Sequence, residues 1–274
     1  MSVSVLILTK NEEMNLPAGL ESVAWSDDVH VYDSFSTDRT VDIAREWGAT
    51  VTQRPFDDWA SHQNWGLQNV PFKHPWVLYI DADERVTPEL AESVRRAVDQ
   101  PGDKVAFEVR RRDFLDGRWL KHVQATPYYL RLFRPDKMRY ERLVNPVSHP
   151  DGPVGQVSGY LDHYPFSRGI SHWFERHNWY STLEARQELA DRERRVRVSL
   201  SRALFARDLH ERRHHQKGMF HRLPARPVLR FLILYVFKGG FLDGRPGLTY
   251  ARLQGIYEYM IVLKVREMVR DLSK

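Results

Sequence analysis

Over the first hundred residues, short apolar runs alternate with stretches of helical periodicity, and this alternation restricts the fold more than any other feature of the chain. Val3-Ser4-Val5-Leu6-Ile7-Leu8 is a strand, and Leu16, Leu20 and Val23 give residues 11–23 a helical spacing. Val29-His30-Val31-Tyr32 is a second strand, and Ser36-Thr37-Asp38 is a capping cluster ahead of Val41-Asp42-Ile43-Ala44. A third strand follows at 49–52, a helix at 58–69, and then the most apolar strand, Trp76-Val77-Leu78-Tyr79-Ile80. Pro88 opens a helix over 89–98, at a position where its missing N–H costs nothing. The pattern predicts an α/β fold with a doubly wound, mostly parallel sheet, whose ligands collect beyond the carboxyl ends of the strands.

The rhythm then changes. From 104 to 163 the chain reads as shorter strands and turns, including 105–109 and 128–133, and after Gly169 it turns helical at 170–191 and 199–213. The boundaries expected are one domain over 1–168, divided into 1–100 and a β-rich half at 101–168, then a helical region over 169–274. The last region carries apolar, basic segments at 227–237 and 248–269 around a glycine-rich turn, a composition suited to helices lying in a membrane interface. Its longest wholly apolar run, Phe231 to Phe237, is far short of the roughly 20 residues that cross a bilayer.

The net charge of +5 is uneven. Arg192, Arg194, Arg195, Arg197, Arg202, Arg207, Arg212, Arg213, Lys217, Arg222, Arg226 and Arg230 crowd one stretch, which calls for an anionic partner. With no cysteine there is neither a disulfide nor a thiolate metal site, so any metal must be held by oxygen or imidazole. The N-terminus has no basic segment or cleavage site of a signal peptide, which places the protein in the cytoplasm as an expectation.

Three polar clusters follow three strands. Asp81-Ala82-Asp83 puts two carboxylates on one side of an extended chain, and a hard cation bound to a diphosphate needs only one or two protein carboxylates. Thr9-Lys10-Asn11-Glu12-Glu13 offers hydroxyl, amide and carboxylate groups, and Asp33-Ser34-Phe35-Ser36-Thr37-Asp38 offers a second such set, although polar residues there also cap helices.

The order Leu-Thr-Lys-Asn-Glu-Glu, Asp-Ser-Phe-Ser-Thr-Asp-Arg-Thr at 33–40 and Tyr-Ile-Asp-Ala-Asp-Glu at 79–84 resembles family 2 glycosyltransferases of the GT-A fold. The likeness is closer to bacterial β-glucosyltransferases of lipopolysaccharide-core and exopolysaccharide assembly. It runs on through Tyr129-Leu130-Arg131-Leu132-Phe133-Arg134, residues 175–181 and Gly240-Phe241-Leu242-Asp243-Gly244-Arg245-Pro246-Gly247. The resemblance implies that residues 1–100 bind the nucleotide, with Thr9, Asn11 and Glu12 lining its pocket and Asp33 on the uracil or ribose, and that 101–168 form the acceptor side. It also implies that Asp83 is the principal ligand of Mg²⁺ or Mn²⁺, and that Asp81 sits nearer the ribose. The donor would be a nucleotide-diphosphate sugar, UDP-linked, and the acceptor a lipid-linked glycan or core oligosaccharide. Arg131 or Arg134 could assist on phosphate or acceptor.

One departure stands out. Relatives carry a Val-His-Glu-like string where this chain reads Leu143-Val144-Asn145-Pro146-Val147-Ser148-His149-Pro150-Asp151, so the acid is missing or displaced. An inverting transfer needs a base for the acceptor hydroxyl, and Asp151 and His149, with Glu141 behind them, are the candidates. A turn at Pro150-Asp151-Gly152 explains Asp151 equally well. The pair His214-His215 lies in an Arg-rich stretch without ordered carboxylates, so anionic head groups suit it better than metal. Two other readings compete. A nucleotidyltransferase would want a Gly- and Lys/Arg-rich loop after the first strand. A nucleic-acid binder would use the arginines, but no nucleic-acid motif accompanies them. The reading expects no nucleic-acid partner, an anionic membrane surface, and room for a homo-oligomer.

Overall fold

The computed structural model describes residues 2–124, 126–141, 147–193, 199–205, 209–221 and 223–272. In chain order the elements are β1 (Ser4–Thr9), α1 (Leu16–Ser22), β2 (Val29–Asp33), α2 (Thr40–Trp47), β3 (Thr50–Gln53), α3 (Trp59–Asn69), β4 (Val77–Asp81), β5 (Glu84–Val86), α4 (Pro88–Asp99), β6 (Ala106–Leu115), β7 (Arg118–Trp119), β8 (Tyr128–Phe133), β9 (Met138–Glu141), β10 (Val147–Pro150) and β11 (Val154–His163). Five α-helices follow among the described residues: α5 (Gly169–Glu193), α6 (Leu200–Phe205), α7 (Leu209–Phe220), α8 (Arg226–Leu232) and α9 (Gly244–Leu272). The helix expected over 199–213 is two, α6 and α7, with 206–208 outside the described residues. The chain forms two compact units, Met1–Phe114 with Thr126–Ser167, and Leu115–Ala125 with Arg168–Lys274.

The first unit is the expected α/β structure. Its sheet runs β3-β2-β1-β4-β8-β6-β11-β5. The pairs β3/β2, β2/β1, β1/β4 and β6/β11 are parallel, whereas β8 lies antiparallel between β4 and β6 and β5 antiparallel to β11. Alternation along the strands sorts side chains to two faces. Val5, Ile7, Leu78 and Ile80 pack with Leu16 and Leu20 of α1 and Leu90 and Val94 of α4. Leu6, Val77 and Tyr79 pack with Tyr32, Ala60 of α3, Phe133 and Tyr140. Burial of each such aliphatic side chain contributes about 1.5–3 kcal/mol.

Local chemistry sets the element ends. Asp58 caps α3 by accepting from Ser61 N at 2.9 Å, and Thr87 caps α4 by accepting from Leu90 N at 3.3 Å. Thr40 N donates to Asp38 at 3.0 Å at the start of α2, but the cap position is Arg39, without a side-chain cap bond, so the expected capping cluster ends one residue before the cap. Gly159 has φ +87°, and a Cβ there would lie 2.4 Å from Leu90 N. This glycine sits at a bulge in β11 between Gln156 and Tyr160 and lets α4 lie directly on the strand that ends at His163.

In the second unit α5 and α9 share a core of Ala185, Leu189, Ile261 and Val265. Arg226 joins two buried carboxylates, with Nη1 2.9 Å from Glu188 and Nε 3.2 Å from Glu258, and Arg192 adds a 2.6 Å contact to Glu188. Among the described residues, no helix is long and apolar enough to cross a membrane.

Candidate active site

Parallel pairing brings three strand ends together. Thr9 lies opposite Asp33, and Leu8 opposite Asp81, so the loops after β1, β2 and β4 leave one edge of the sheet side by side. The first two loops are stitched to each other. Asn11 N donates to Ser36 Oγ at 2.8 Å, Thr37 N to Asn11 Oδ1 at 2.7 Å, Glu12 N to Thr40 Oγ1 at 2.7 Å and Arg39 N to Glu13 at 3.0 Å. Lys10 Nζ reaches back to the carbonyls of Ser34, at 2.7 Å, and Phe35. Asn11 and Phe35 hold φ of 55° and 56°, a region costly for a phenylalanine, so the stitched loop is kept in one strained shape.

Asp33 organises this loop. It is fully buried and accepts from Thr9 Oγ1 at 3.0 Å, Ser36 N at 2.9 Å, Gln53 Nε2 at 2.9 Å and the Ser36 hydroxyl. Its carboxylate is therefore satisfied within the protein. Beside it, His62 is buried and stacked on Tyr32 at 4.3 Å, and burial followed by the nearby Arg54 charge pushes its pKa down.

The third loop carries the charges. Asp81 Oδ1 accepts from Tyr79 Oη at 3.0 Å and Oδ2 from Arg131 at 2.8 Å, while Asp81 N donates to Glu84 at 2.9 Å. Arg131 also reaches Glu84 at 2.9 Å and lies 4.5 Å over the Tyr79 ring. Burial opposes the Arg131 charge, but Glu84 and Asp81 outweigh it and keep the guanidinium charged. Burial pushes the Glu84 pKa up despite that partner. Arg131 is thus a buried support beneath Asp81, whereas Arg134 lies on the surface, 3.4 Å from Asp136.

Asp83 meets residues that the sequence did not single out. His163 lies opposite Glu84 on one side and Asp113 on the other, at the end of β11. Its Nε2 is 3.3 Å from Asp83 and its Nδ1 bonds Asp113. Burial works against a charged imidazole, but Asp83 and the Asp113 hydrogen bond push the His163 pKa up to about 9. Arg111 contributes a 3.2 Å contact to Asp113. Arg85 fastens the turn by donating to Ala82 O at 2.8 Å and Glu84 O at 2.9 Å. The only signal for His163 was a polar Asp162-His163 pair ending a strand-like run, and its partners depend on a pairing of β6 with β11 that spacing does not disclose.

The base candidates divide. His149 and Glu141 meet diagonally at 3.3 Å across β9 and β10, on the exposed face of the pair, whereas Tyr140 points to the opposite face and packs in the same cluster as Tyr79. Asp151 is exposed and pairs with Lys137 at 3.4 Å. It precedes Val154, which pairs with Ala106 at the end of β11 opposite to His163, so the structure does not bring it to Asp83. Residues 143–146 of the departing string lie outside the described residues.

Among the described residues, no group of three or more His, Asp and Glu side chains could by itself hold a metal ion. A cation that arrives on a diphosphate needs fewer protein donors, and the partly accessible Asp83 with His163 Nε2 beside it is an oxygen-plus-imidazole pair of that kind.

Polar loops gathered at the carboxyl edge of a mostly parallel sheet define an α/β protein of the class whose ligands sit in the crevice beyond the strand ends. Residues 4–160, more than half of the chain, match the family described as Glycosyl transferase family 2, and the chain belongs to that family, with a GT-A-like sheet and a helical C-terminal region. It is 26% identical over 275 residues to the lipopolysaccharide core biosynthesis glycosyltransferase LpsC of Rhizobium meliloti, covering 97% of this chain and 92% of that one. An uncharacterized glycosyltransferase of Rickettsia bellii is 37% identical over 93 residues, covering 34% of this chain and 31% of that protein. Among solved structures, S. aureus TarS 1-349 is 15% identical with a TM-score of 0.43 over 99% of this chain and 92% of that one. Glucosyl-3-phosphoglycerate synthase from Mycobacterium tuberculosis, in complex with Mn²⁺, UDP-glucose and phosphoglyceric acid, is 21% identical with a TM-score of 0.35, over 40% and 44% of the two chains.

Proposed function

We propose that this glycosyltransferase inverts configuration while moving a sugar from a UDP-linked donor to a lipid-linked glycan, of the lipopolysaccharide-core or exopolysaccharide kind, at the inner face of the cell membrane. The observation that carries the reading is the meeting of Asp83, His163 and the stitched 9–15 and 33–40 loops at one edge of the sheet. The full-length similarity to a lipopolysaccharide core enzyme supports the acceptor class.

In this reading Thr9, Asn11 and Glu12 line the nucleotide pocket. Asp33 acts chiefly by fixing the loop, because a direct contact with base or ribose requires it to exchange one of its four protein donors. Asp83 and His163 hold Mg²⁺ or Mn²⁺, with Asp81 on the ribose side and braced by Arg131 and Tyr79. The bound cation would neutralise the charge that grows on the diphosphate as the bond to the sugar breaks. For the acceptor proton, the imidazole of His149, with Glu141 3.3 Å away, and the carboxylate of Asp151 stay as the base candidates. A screen of nucleotide sugars with Mg²⁺ or Mn²⁺, read as nucleoside-diphosphate release, tests the proposal. Release from one UDP-sugar supports it, and release from none, with or without acceptor extracts, counts against it.

A further inference from the structure

Six apolar side chains crowd the surface of one short stretch of the second unit. Val228, Leu232 and Val236 recur every four residues along α8 and the π-helical turn Ile233–Phe237, at 59%, 37% and 49% exposure. Phe237 is 82% exposed, and Phe241 and Leu242, in the 3-10 turn Gly240–Asp243, are 52% and 53% exposed. Phe241 meets Tyr235 edge-on at 6.4 Å and Tyr235 stacks on Phe231 at 5.4 Å, which joins the turn to the helix. Single exposed apolar residues are ordinary, but a contiguous set of this kind marks a contact surface.

The stretch is held firmly in this shape. Buried Asp243 accepts from His122 N at 2.9 Å and Val123 N at 2.7 Å and bonds His122 Nδ1 at 2.7 Å. Arg118 donates to Leu242 O at 3.1 Å, and a Cβ at Gly247 would lie 2.1 Å from Gly240 O. The rim is mainly cationic, since Arg118, Lys121, Lys238 and Arg245 are exposed against one exposed acid, Asp116, in the segment that carries Arg118 and Lys121, while Asp243, the one acid between Arg226 and Gly247, is buried.

We propose that this turn is a membrane-inserting element, in which Val236, Phe237, Phe241 and Leu242 enter an anionic bilayer surface while Arg118, Lys121, Lys238 and Arg245 meet lipid phosphates. The inference rests on the peripheral-membrane reading above and narrows it to one rigid turn. A second copy is the poorer occupant, because a two-fold contact would set this cationic rim against itself.

Sedimentation of the full chain with phosphatidylcholine vesicles, with and without phosphatidylglycerol, tests it. The wild type is expected to bind the anionic vesicles and release in high salt, and Phe237→Glu with Phe241→Glu to weaken binding by about tenfold per ring. Leu263→Glu, on an exposed part of α9, is expected to bind as wild type. A Phe237→Trp chain, which keeps the apolar contact, is expected to shift its emission to the blue and be quenched by brominated lipid. Unweakened vesicle binding by the double variant, or an indole probe in the Phe237→Trp chain that stays in water on bound vesicles, overturns the inserting turn and leaves peripheral binding standing. Absence of binding by the wild type overturns both, and a concentration-dependent dimer lost in the double variant, without vesicle binding, overturns the inference in favour of a self-contact.

Discussion

Asp81 and Asp83 belong to one short turn yet sit in different surroundings. Asp81 has both oxygens taken by Tyr79 and Arg131, whereas Asp83 faces the His163 imidazole, whose Nε2 gives up its proton when the two share a cation. Asp83→Ala is therefore expected to lower transfer by at least about a hundredfold, as loss of a leaving-group clamp does, while the chain stays folded with only a modest fall in melting temperature as His163 loses one of its two carboxylates. A lowered melt with proportionate activity would point to a packing role instead. Arg131→Met should behave in the opposite way. It leaves Glu84, fully buried, without its main partner, and is expected to cost about 3–5 kcal/mol in urea unfolding, much of it recovered by adding Glu84→Gln. His177, stacked on Trp173 at 3.7 Å, has its pKa pushed down to about 4 by burial first. The unfolded imidazole binds the proton more readily, so its contribution is complete above the ordinary value of 6.5 and is lost as pH falls through about 4. Melting curves from pH 4 to 7 should flatten in His177→Gln, and an unchanged slope would contradict this assignment.

At the scale of elements, β1, β2 and β4 were legible because parallel strands covered on both faces read as nearly continuous apolar runs, whereas β3, at the sheet edge, was marked only by its β-branched Thr50-Val51-Thr52. The helix expected from residue 11 starts at Leu16, because Asn11 takes a left-handed conformation and residues 9–15 bond across to the 33–40 loop. Local periodicity does not register such cross-loop bonds. Nor did it hint that β8 would run antiparallel between two strands or that β11 would carry His163 to Asp83, since both depend on pairings between distant residues. Gly159 is where that long-range geometry can be probed. Gly159→Ala forces a Cβ against the α4 backbone at positive φ and is expected to destabilise by about 2 kcal/mol or more, with a larger loss of activity than of fold as β11 shifts. A neutral effect on both would mean that the bulge is not needed to place His163.

For the whole molecule, the resemblance read from three motifs was sufficient to reach the family, while the residues around those motifs came only from the fold. Asp33 shows the difference, since its motif suggested a place at the ligand while the four donors around its buried carboxylate are visible only in the fold. The second unit is equally interdependent. Ile261 and Val265 of α9 complete the core of α5, so a chain truncated at residue 225 is expected to lose helix well beyond the residues removed, seen by circular dichroism. The central claim is that Asp83, with His163, holds a cation through which a nucleoside diphosphate is gripped. Calorimetric titration of UDP into wild type and Asp83→Ala, each with and without Mn²⁺, tests it most directly. Mn²⁺ is expected to tighten UDP binding in the wild type and to have no effect in the variant, and equal Mn²⁺ enhancement in both proteins would rule out Asp83 as the cation ligand.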